Sequence, residues 1–114
     1  MPQSLVVFVT CASASEARRI ASAVVESRLA ACANLLPGPV ESVYRWKGGV
    51  ERARERLLLI KTTRAKFPAL RDKIRRLHSY ELPEIIAIPI AVGLPAYLAW
   101  IKDCVSRRKG RGVR

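Results

Sequence analysis

Apolar and polar positions at the start of the chain predict a strand followed by a helix. Residues 5–9 form a continuous apolar run rich in β-branched side chains, which is typical of a strand buried on both faces. Ser13 followed three residues later by Glu16 matches a capping box. Beyond it, apolar residues recur at steps of three and four and predict a first helix over residues 15–32. Its inner face would carry Ala17, Ile20, Ala21, Val24 and Ala31.

The middle of the chain predicts a long β-hairpin. A second strand begins at residue 34, is interrupted by the Pro-Gly-Pro sequence at 37–39 and continues to residue 46. After a glycine turn, a third, antiparallel strand follows over residues 50–62. The outer half of this hairpin, residues 41–56, is polar and charged, whereas the inner half is apolar. Because a solitary two-stranded ribbon is marginal in water, we expect self-association, although the pattern does not choose between two copies and three.

The rest of the chain predicts a second helix, a fourth strand and a short terminal helix. Thr63 is expected to cap the second helix, and Pro68 suits its first turn. Residues 85–92 are apolar and β-branched, with Pro89 indicating an edge position or a bulge. Pro95 begins the last helix. The outward face of the second helix is basic, with Arg64, Lys66, Arg71, Lys73, Arg75 and Arg76.

This order of elements, β-α-β-β-α-β plus a helix, predicts a single α+β domain. Right-handed crossovers leave few arrangements, of which the ferredoxin-like one fits: two helices on one face of an antiparallel sheet, with an extended hairpin and a short C-terminal helix. The length of 114 residues suits one domain, which we place at residues 1–105. Residues 106–114 are expected to be a disordered basic tail.

The formal net charge of +12 raises the question of nucleic-acid binding. Five basic residues lie in the tail, and the others are dispersed among acids. No recognition motif accompanies them and aromatic residues make up only 6%, so no specific nucleic-acid partner is predicted. Binding through the tail remains an alternative, which would give a steep salt dependence that truncation after Val105 abolishes.

The three cysteines, Cys11, Cys32 and Cys104, have no paired spacing. An odd, unpaired set argues against a disulfide framework and against a structural zinc site. The first apolar run is too short for a signal peptide or a membrane span. We therefore expect a cytoplasmic protein with no membrane partner.

The only histidine, His78, lies between the second helix and the fourth strand, close to Glu81 and Glu84. A neutral imidazole with carboxylates nearby binds transition metals. Alternatively, His78 only ends the helix, where the helix dipole favours it. The residues alone favour the second interpretation, because tight metal sites usually use three or four protein ligands.

Several segments of the chain match the motifs of one known protein family. The sequence HSYELPE at 78–84 is similar to that family's H-P-Y-E-x-P-E motif. Four others match in the same order: RLAACAN at 28–34, YRWKG at 44–48, LIKTT at 59–63 and YLAWI at 97–101. Motifs in a common order are more specific than any single one, and together these resemble the CutA divalent-cation tolerance family. The chain departs from the family pattern at Ser79, usually proline, and at Gly49, usually lysine.

The resemblance implies a ferredoxin-like fold, a homotrimer joined through extended hairpins, and tolerance of copper or another divalent cation, weakly bound. It makes His78 a candidate metal ligand, together with Glu81 and Cys11, which we expect at the rim of the first strand. The cysteine implicated in some family members falls at Val9 here, and Cys32 is more typical of a core.

A cleft between subunits is the second predicted site. Its candidate ligand-binding residues are Lys61, Tyr80, Trp46 and Glu84, and the candidate trimer-interface residues are Tyr44, Trp46 and Trp100. Lys61 either counters Glu81, binds an anion at the cleft between subunits, or only extends to solvent. The aromatic residues either line a pocket or anchor the interface, and the second is favoured.

No nucleophile elbow, phosphate-binding loop or dinucleotide motif is present, so the sequence does not predict an enzyme. The predicted function is a divalent-cation tolerance protein: a trimeric copper-binding or signalling protein with sites at subunit clefts. The alternative is a structural or interaction protein that docks acidic partners without metal.

Overall fold

The computed structural model describes residues 3–106 and contains a five-stranded sheet with three α-helices. The elements in chain order are β1 (Ser4–Cys11), α1 (Ala14–Glu26), β2 (Cys32–Leu35), β3 (Val40–Trp46), β4 (Gly49–Thr63), a 3₁₀ turn (Arg64–Lys66), α2 (Phe67–Leu77), β5 (Ile85–Pro89) and α3 (Pro95–Val105). No helix within the described part of the chain is both long and apolar enough to cross a membrane.

The sheet is antiparallel, with the strand order β2-β4-β1-β5. This is the order of a ferredoxin-like α+β fold, so the predicted fold class is confirmed. The outer half of β4 also pairs with β3, from Val40 opposite Glu55 to Trp46 opposite Gly49. We call this two-stranded outer portion, β3 with residues 49–55, the ribbon. One 15-residue strand, β4, therefore belongs to both the core sheet and the ribbon.

The core lies between the sheet and the pair of helices α1 and α2. Alternate residues of β1 and β4 face these helices and are fully buried, as the period of two along a strand requires. They pack with apolar residues of α1 and α2 in one cluster, whose largest members are Val7, Val9, Ile20, Val24, Leu58, Ile60, Leu70 and Ile74.

The other face of the sheet is only partly covered. Cys32 lies on it, with its Sγ 3.6 Å from the Tyr97 hydroxyl of α3, so α3 packs on this side. On the edge strand β5, Ile86 and Ile88 pair with Phe8 and Val6 and share this face. Their side chains remain 55% and 53% exposed. An apolar sheet surface of this kind needs a further partner to be buried.

The first helix is shorter than the sequence pattern predicts. It ends at Glu26 rather than at residue 32, because Arg28 adopts a left-handed conformation with φ 61°. The N–H groups of Leu29 and Ala30 both return to the carbonyl of Val24, which closes the helix end. Ala31 then donates its N–H to Lys61 at 2.8 Å and enters the sheet, so its predicted place on the helix is wrong.

Two further boundaries differ from prediction. Thr63 does not cap α2 through its side chain, because it is the last residue of β4, pairs with Ser4 and is followed by the 3₁₀ turn. The fourth predicted strand ends at Pro89 rather than at residue 92: the Ile90 N–H still donates to the Ser4 carbonyl at 2.9 Å, but β1 begins at Ser4 and offers no further residue to pair with. The predicted edge position of this strand is confirmed, because β5 is the last strand in the order of the sheet. The predicted tail, from residue 107 onward, lies outside the described residues.

Candidate functional site

The His78 imidazole is held by hydrogen bonds on both ring nitrogens. His78 ends α2, where its own N–H donates to Ile74 at 2.9 Å. Its Nε2 lies 2.8 Å from the Thr10 carbonyl oxygen, which can only accept, so Nε2 carries the proton. Its Nδ1 accepts the Tyr80 N–H at 3.1 Å. The ring is 9% exposed and joins α2, the end of β1 and the following loop.

Glu16, which the sequence indicated only as a capping residue, lies beside His78. The Ser13 hydroxyl accepts the Glu16 N–H at 3.1 Å, as a capping box requires. The Glu16 carboxylate instead accepts the N–H of Ala12 at 3.0 Å and that of Ser79 at 2.8 Å. It is 5% exposed. Glu16 therefore ties the start of α1 to the loop at residues 78–84, which we call the junction.

The environment shifts the pKa values of Glu16 and Cys11 in opposite directions. Burial opposes ionisation of Glu16, but hydrogen bonds from Ser79 and Ala12 and the nearby His78 outweigh it and lower its pKa. Burial, followed by the carboxylates of Glu16 and Glu55, raises the pKa of the Cys11 thiol to about 12. The thiol is therefore protonated at neutral pH.

The predicted position of Cys11 at the rim of the first strand is wrong, because Cys11 faces the core and is fully buried.

Cys11, Glu16 and His78 form a compact group of potential metal ligands. One ligand atom from each, a thiol sulphur, a carboxylate oxygen and an imidazole nitrogen, lies within 4.8 Å of the other two. This donor set fits copper or zinc rather than magnesium or calcium. Binding would require loss of the Cys11 proton and release of His78 Nδ1 from Tyr80. Two of the three predicted ligands meet here, whereas Glu81 is exposed and lies outside the group.

The ribbon and the junction enclose a groove of about 640 Å³. It brings together most of the predicted cleft residues, and its charged and aromatic lining includes Tyr44, Trp46, Glu55, Tyr80, Glu81 and Glu84. The Tyr80 hydroxyl donates to Glu55 Oε2 at 2.7 Å. Burial, and then the Glu55 carboxylate, raises the pKa of Tyr80. Glu55 is 7% exposed and was not among the predicted site residues.

Lys61 and Trp100 lie away from this groove. Lys61 donates a hydrogen bond to the Asn34 side-chain oxygen on the neighbouring strand β2. The cation near Glu81 within the chain is Lys47, whose Nζ lies 3.9 Å from Glu81 Oε1, so Lys61 does not counter Glu81 of its own chain. The Trp100 ring packs against Tyr97 on α3, with centroids 5.3 Å apart.

The strand order and the ribbon define the class of this protein: a ferredoxin-like α+β protein with an elongated hairpin. A family model described as CutA1 divalent ion tolerance protein matches residues 5–104. The chain belongs to this family, as the motifs predict.

Relatives from distant organisms agree. The divalent-cation tolerance protein CutA of Thermus thermophilus is 50% identical over 86% of this chain and 94% of its own length. The human protein CutA is 48% identical over 84% of this chain, which spans only 53% of the human protein. The chain thus covers about half the length of some relatives. The names of the family and of the Thermus thermophilus protein describe tolerance of divalent cations and no enzymatic activity.

Solved structures support the same assignment. The divalent cation tolerance protein of Thermus thermophilus superposes with a TM-score of 0.87 at 48% identity, covering 90% of this chain and 99% of that one. The periplasmic divalent cation tolerance protein CutA of Archaeoglobus fulgidus gives a TM-score of 0.86 at 40% identity, with coverage of 90% and 99%.

Replacing Ser79 by proline, the residue usual in the family pattern, is expected to destabilise this chain by about 1–2 kcal/mol. The change removes the N–H that donates to Glu16, a charge-assisted bond that contributes about 1.5–3 kcal/mol. Reduced freedom of the unfolded chain offsets about 0.4–1 kcal/mol of this loss. His78 has φ −80° and ψ 142°, which a following proline allows.

Urea denaturation measures this change, and Ser79→Ala is the matched control. Alanine removes the hydroxyl but retains the N–H, so the difference between the two variants reports the N–H bond to Glu16, less the smaller gain from the restricted unfolded chain. Equal stability of the proline and alanine variants would contradict the role assigned to this bond.

Proposed function

We propose that this member of the divalent-cation tolerance family is a homotrimeric binding protein that takes up copper or another divalent cation weakly at Cys11, Glu16 and His78, and that it is not an enzyme. The observation that carries the proposal is the convergence of three donor types within 4.8 Å. An imidazole and a thiol favour copper or zinc over harder cations. A signalling role would follow if a bound cation changed the conformation of the junction.

Weak binding is expected from the interactions that a cation must replace. The Cys11 thiol, with its pKa raised to about 12, must lose a proton. His78 Nδ1 must give up the Tyr80 N–H, and Glu16 accepts two backbone N–H groups. Each exchange subtracts from the free energy of metal coordination. Affinity should therefore increase with pH, because metal uptake releases the Cys11 proton.

Calorimetric titration with copper tests this ligand set. His78→Ala is expected to weaken binding more than about tenfold, since removing even a supporting group of a metal site costs 10–100-fold. Glu81→Gln should leave the affinity unchanged, because Glu81 lies outside the group. If Glu81→Gln weakened binding and His78→Ala did not, the Glu81 carboxylate would be a ligand in place of His78. Equal affinity of wild type and both variants would remove the proposed site.

Exposed apolar side chains support the proposed trimer. On the ribbon, Val43, Tyr44 and Val50 are 59%, 44% and 57% exposed. On the open sheet face, Ile86 and Ile88 are equally exposed, and large apolar patches of this kind usually mark interfaces. A mass measurement in solution should give three copies. The three free thiols support a reducing, cytoplasmic location, which we also propose.

The hydrogen bonds of His78 favour a second candidate function. Both ring nitrogens are satisfied within the chain, so the junction suits a structural protein that needs no metal. The helical layer then docks an acidic partner through its exposed basic residues, among them Arg18, Arg71, Arg75 and Arg76. Absence of any copper affinity, with the trimer intact, would select this function.

A further inference from the structure

The groove between the ribbon and the junction is acidic in a chain that is otherwise basic. The whole chain contains 9 acidic residues against 21 basic ones. Three of these acids line the groove, whereas Arg45 is the only basic residue among its lining residues. Three aromatic rings, of Tyr44, Trp46 and Tyr80, share the same surface. Carboxylates next to aromatic rings are the groups that recognise organic cations.

Glu55 has an oxygen without a partner. Its Oε2 accepts the Tyr80 hydroxyl, but its Oε1 takes part in no hydrogen bond within residues 3–106. No lysine or arginine of that part of the chain forms an ion pair with Glu55. In the described part of the chain, every side-chain oxygen or nitrogen that is inaccessible to solvent has a hydrogen-bond partner. The unpaired Oε1 of Glu55 is therefore accessible to solvent. A carboxylate that is 93% buried, lines a groove and lacks a counter-charge favours a cationic ligand.

The chain's own Lys47 shows how an ammonium group sits against this lining. Its Nζ lies 5.6 Å from the centroid of the Trp46 ring, within the range of a cation–π interaction. The same Nζ is 3.9 Å from Glu81 Oε1. Trp46 and Glu81 both line the groove. An alkylammonium group thus already contacts one aromatic ring and one carboxylate of this surface.

We propose that the groove binds an alkylammonium ligand, a primary amine or diamine. Its charged nitrogen pairs with Glu55 Oε1, and its methylene chain lies along Tyr44 and Trp46. A hydrated divalent cation could use the carboxylates, but the rings would offer it no ligand atom. An alkylammonium ion uses both kinds of lining. This site is separate from the Cys11 group, and it extends the proposed function because the ribbon that forms it is expected at the trimer interface.

Calorimetric titration of the full chain with putrescine tests the proposal, with butanediol as a neutral ligand of the same length. Putrescine is expected to bind and butanediol to give no heat above dilution. Glu55→Gln keeps an oxygen for the Tyr80 hydroxyl and removes the charge, so it should weaken putrescine binding about thirtyfold. Glu51→Gln, on the exposed part of the same strand and outside the groove, is the matched control and should bind as wild type does.

Equal binding of putrescine and butanediol, or equal affinity of Glu55→Gln and wild type, would overturn the proposal. If Glu55→Gln fails to fold by circular dichroism, the double variant of the exposed residues Glu81→Gln and Glu84→Gln replaces it, with about tenfold weaker binding expected and unchanged binding as the contrary result. Copper affinity and mass are measured on the same samples. If the protein is a trimer and binds copper but does not bind putrescine, this inference alone is overturned. If it binds putrescine but not copper, only the metal site is overturned.

Discussion

Replacing Glu16 by alanine is expected to lower the free energy of unfolding by about 3 kcal/mol, because two charge-assisted hydrogen bonds to backbone N–H groups are lost. The N–H groups of Ala12 and Ser79 both donate to this carboxylate. Ala12 and Ser79 are exposed residues, so water replaces the carboxylate in part, and each charge-assisted bond is taken at the lower end of its range of about 1.5–3 kcal/mol. The junction would also lose its attachment to α1. Urea denaturation followed by circular dichroism measures the change.

Glu26→Ala is the matched control for this prediction. Glu26 is the last residue of the same helix, and its side chain is exposed. Its loss should change the free energy of unfolding by less than about 0.5 kcal/mol, as for most surface substitutions. If Glu16→Ala were as stable as Glu26→Ala, the carboxylate would not hold the junction.

The pH dependence of stability follows from the lowered pKa of Glu16. A carboxyl group whose folded pKa lies below its ordinary value of 4.5 binds protons more tightly in the unfolded chain. Its stabilising contribution is complete above pH 4.5 and is lost as the pH falls through the folded pKa. We therefore expect the difference in stability between wild type and Glu16→Gln to shrink in acid. A constant difference would contradict the assigned charge.

The sequence pattern identified the fold because its strongest signals are local. Continuous apolar runs, the period of the helices and the Pro-Gly-Pro interruption all report the conformation of neighbouring residues. The end of α1 escaped prediction because the apolar period continues through Ala31, while the left-handed backbone of Arg28 has no clear sequence signal. The contact of Ala31 with Lys61 spans 30 positions and overrides the helical pattern.

The candidate site was predicted in part for a related reason. His78 and Cys11 were recognised by residue type, and the capping box drew attention to Glu16 in another role. What the pattern could not supply is the contact of Glu16 with Ser79, 63 positions away. Glu55 was hidden among the charges of the ribbon, and the pairing of β4 with β1, which puts Arg56 opposite Cys11, brings it close to Tyr80. Nonlocal contacts of polar groups leave no period in the sequence.

Replacing Ile86 and Ile88 together by lysine is expected to convert the proposed trimer into monomers. In the single chain these side chains are already 55% and 53% exposed, so their loss costs little within the fold. Lysine is also well tolerated on edge strands such as β5. Within an assembly, burying the exposed half of each isoleucine contributes about 1 kcal/mol, and opposed lysines add repulsion. The effect should therefore fall on association rather than on folding.

Mass measurement at micromolar concentration, together with circular dichroism, checks this prediction, and Val92→Lys is its control. Val92 is 87% exposed and lies beyond the end of β5, so a lysine there adds charge without touching the open sheet face. The double variant should have the mass of one folded chain, while the control keeps the mass of the wild type. An unchanged mass for the double variant would show that the face carrying Ile86 and Ile88 stays exposed in the assembly. In that case the ribbon alone joins the copies, and Val43 and Val50 become the residues whose substitution must separate them.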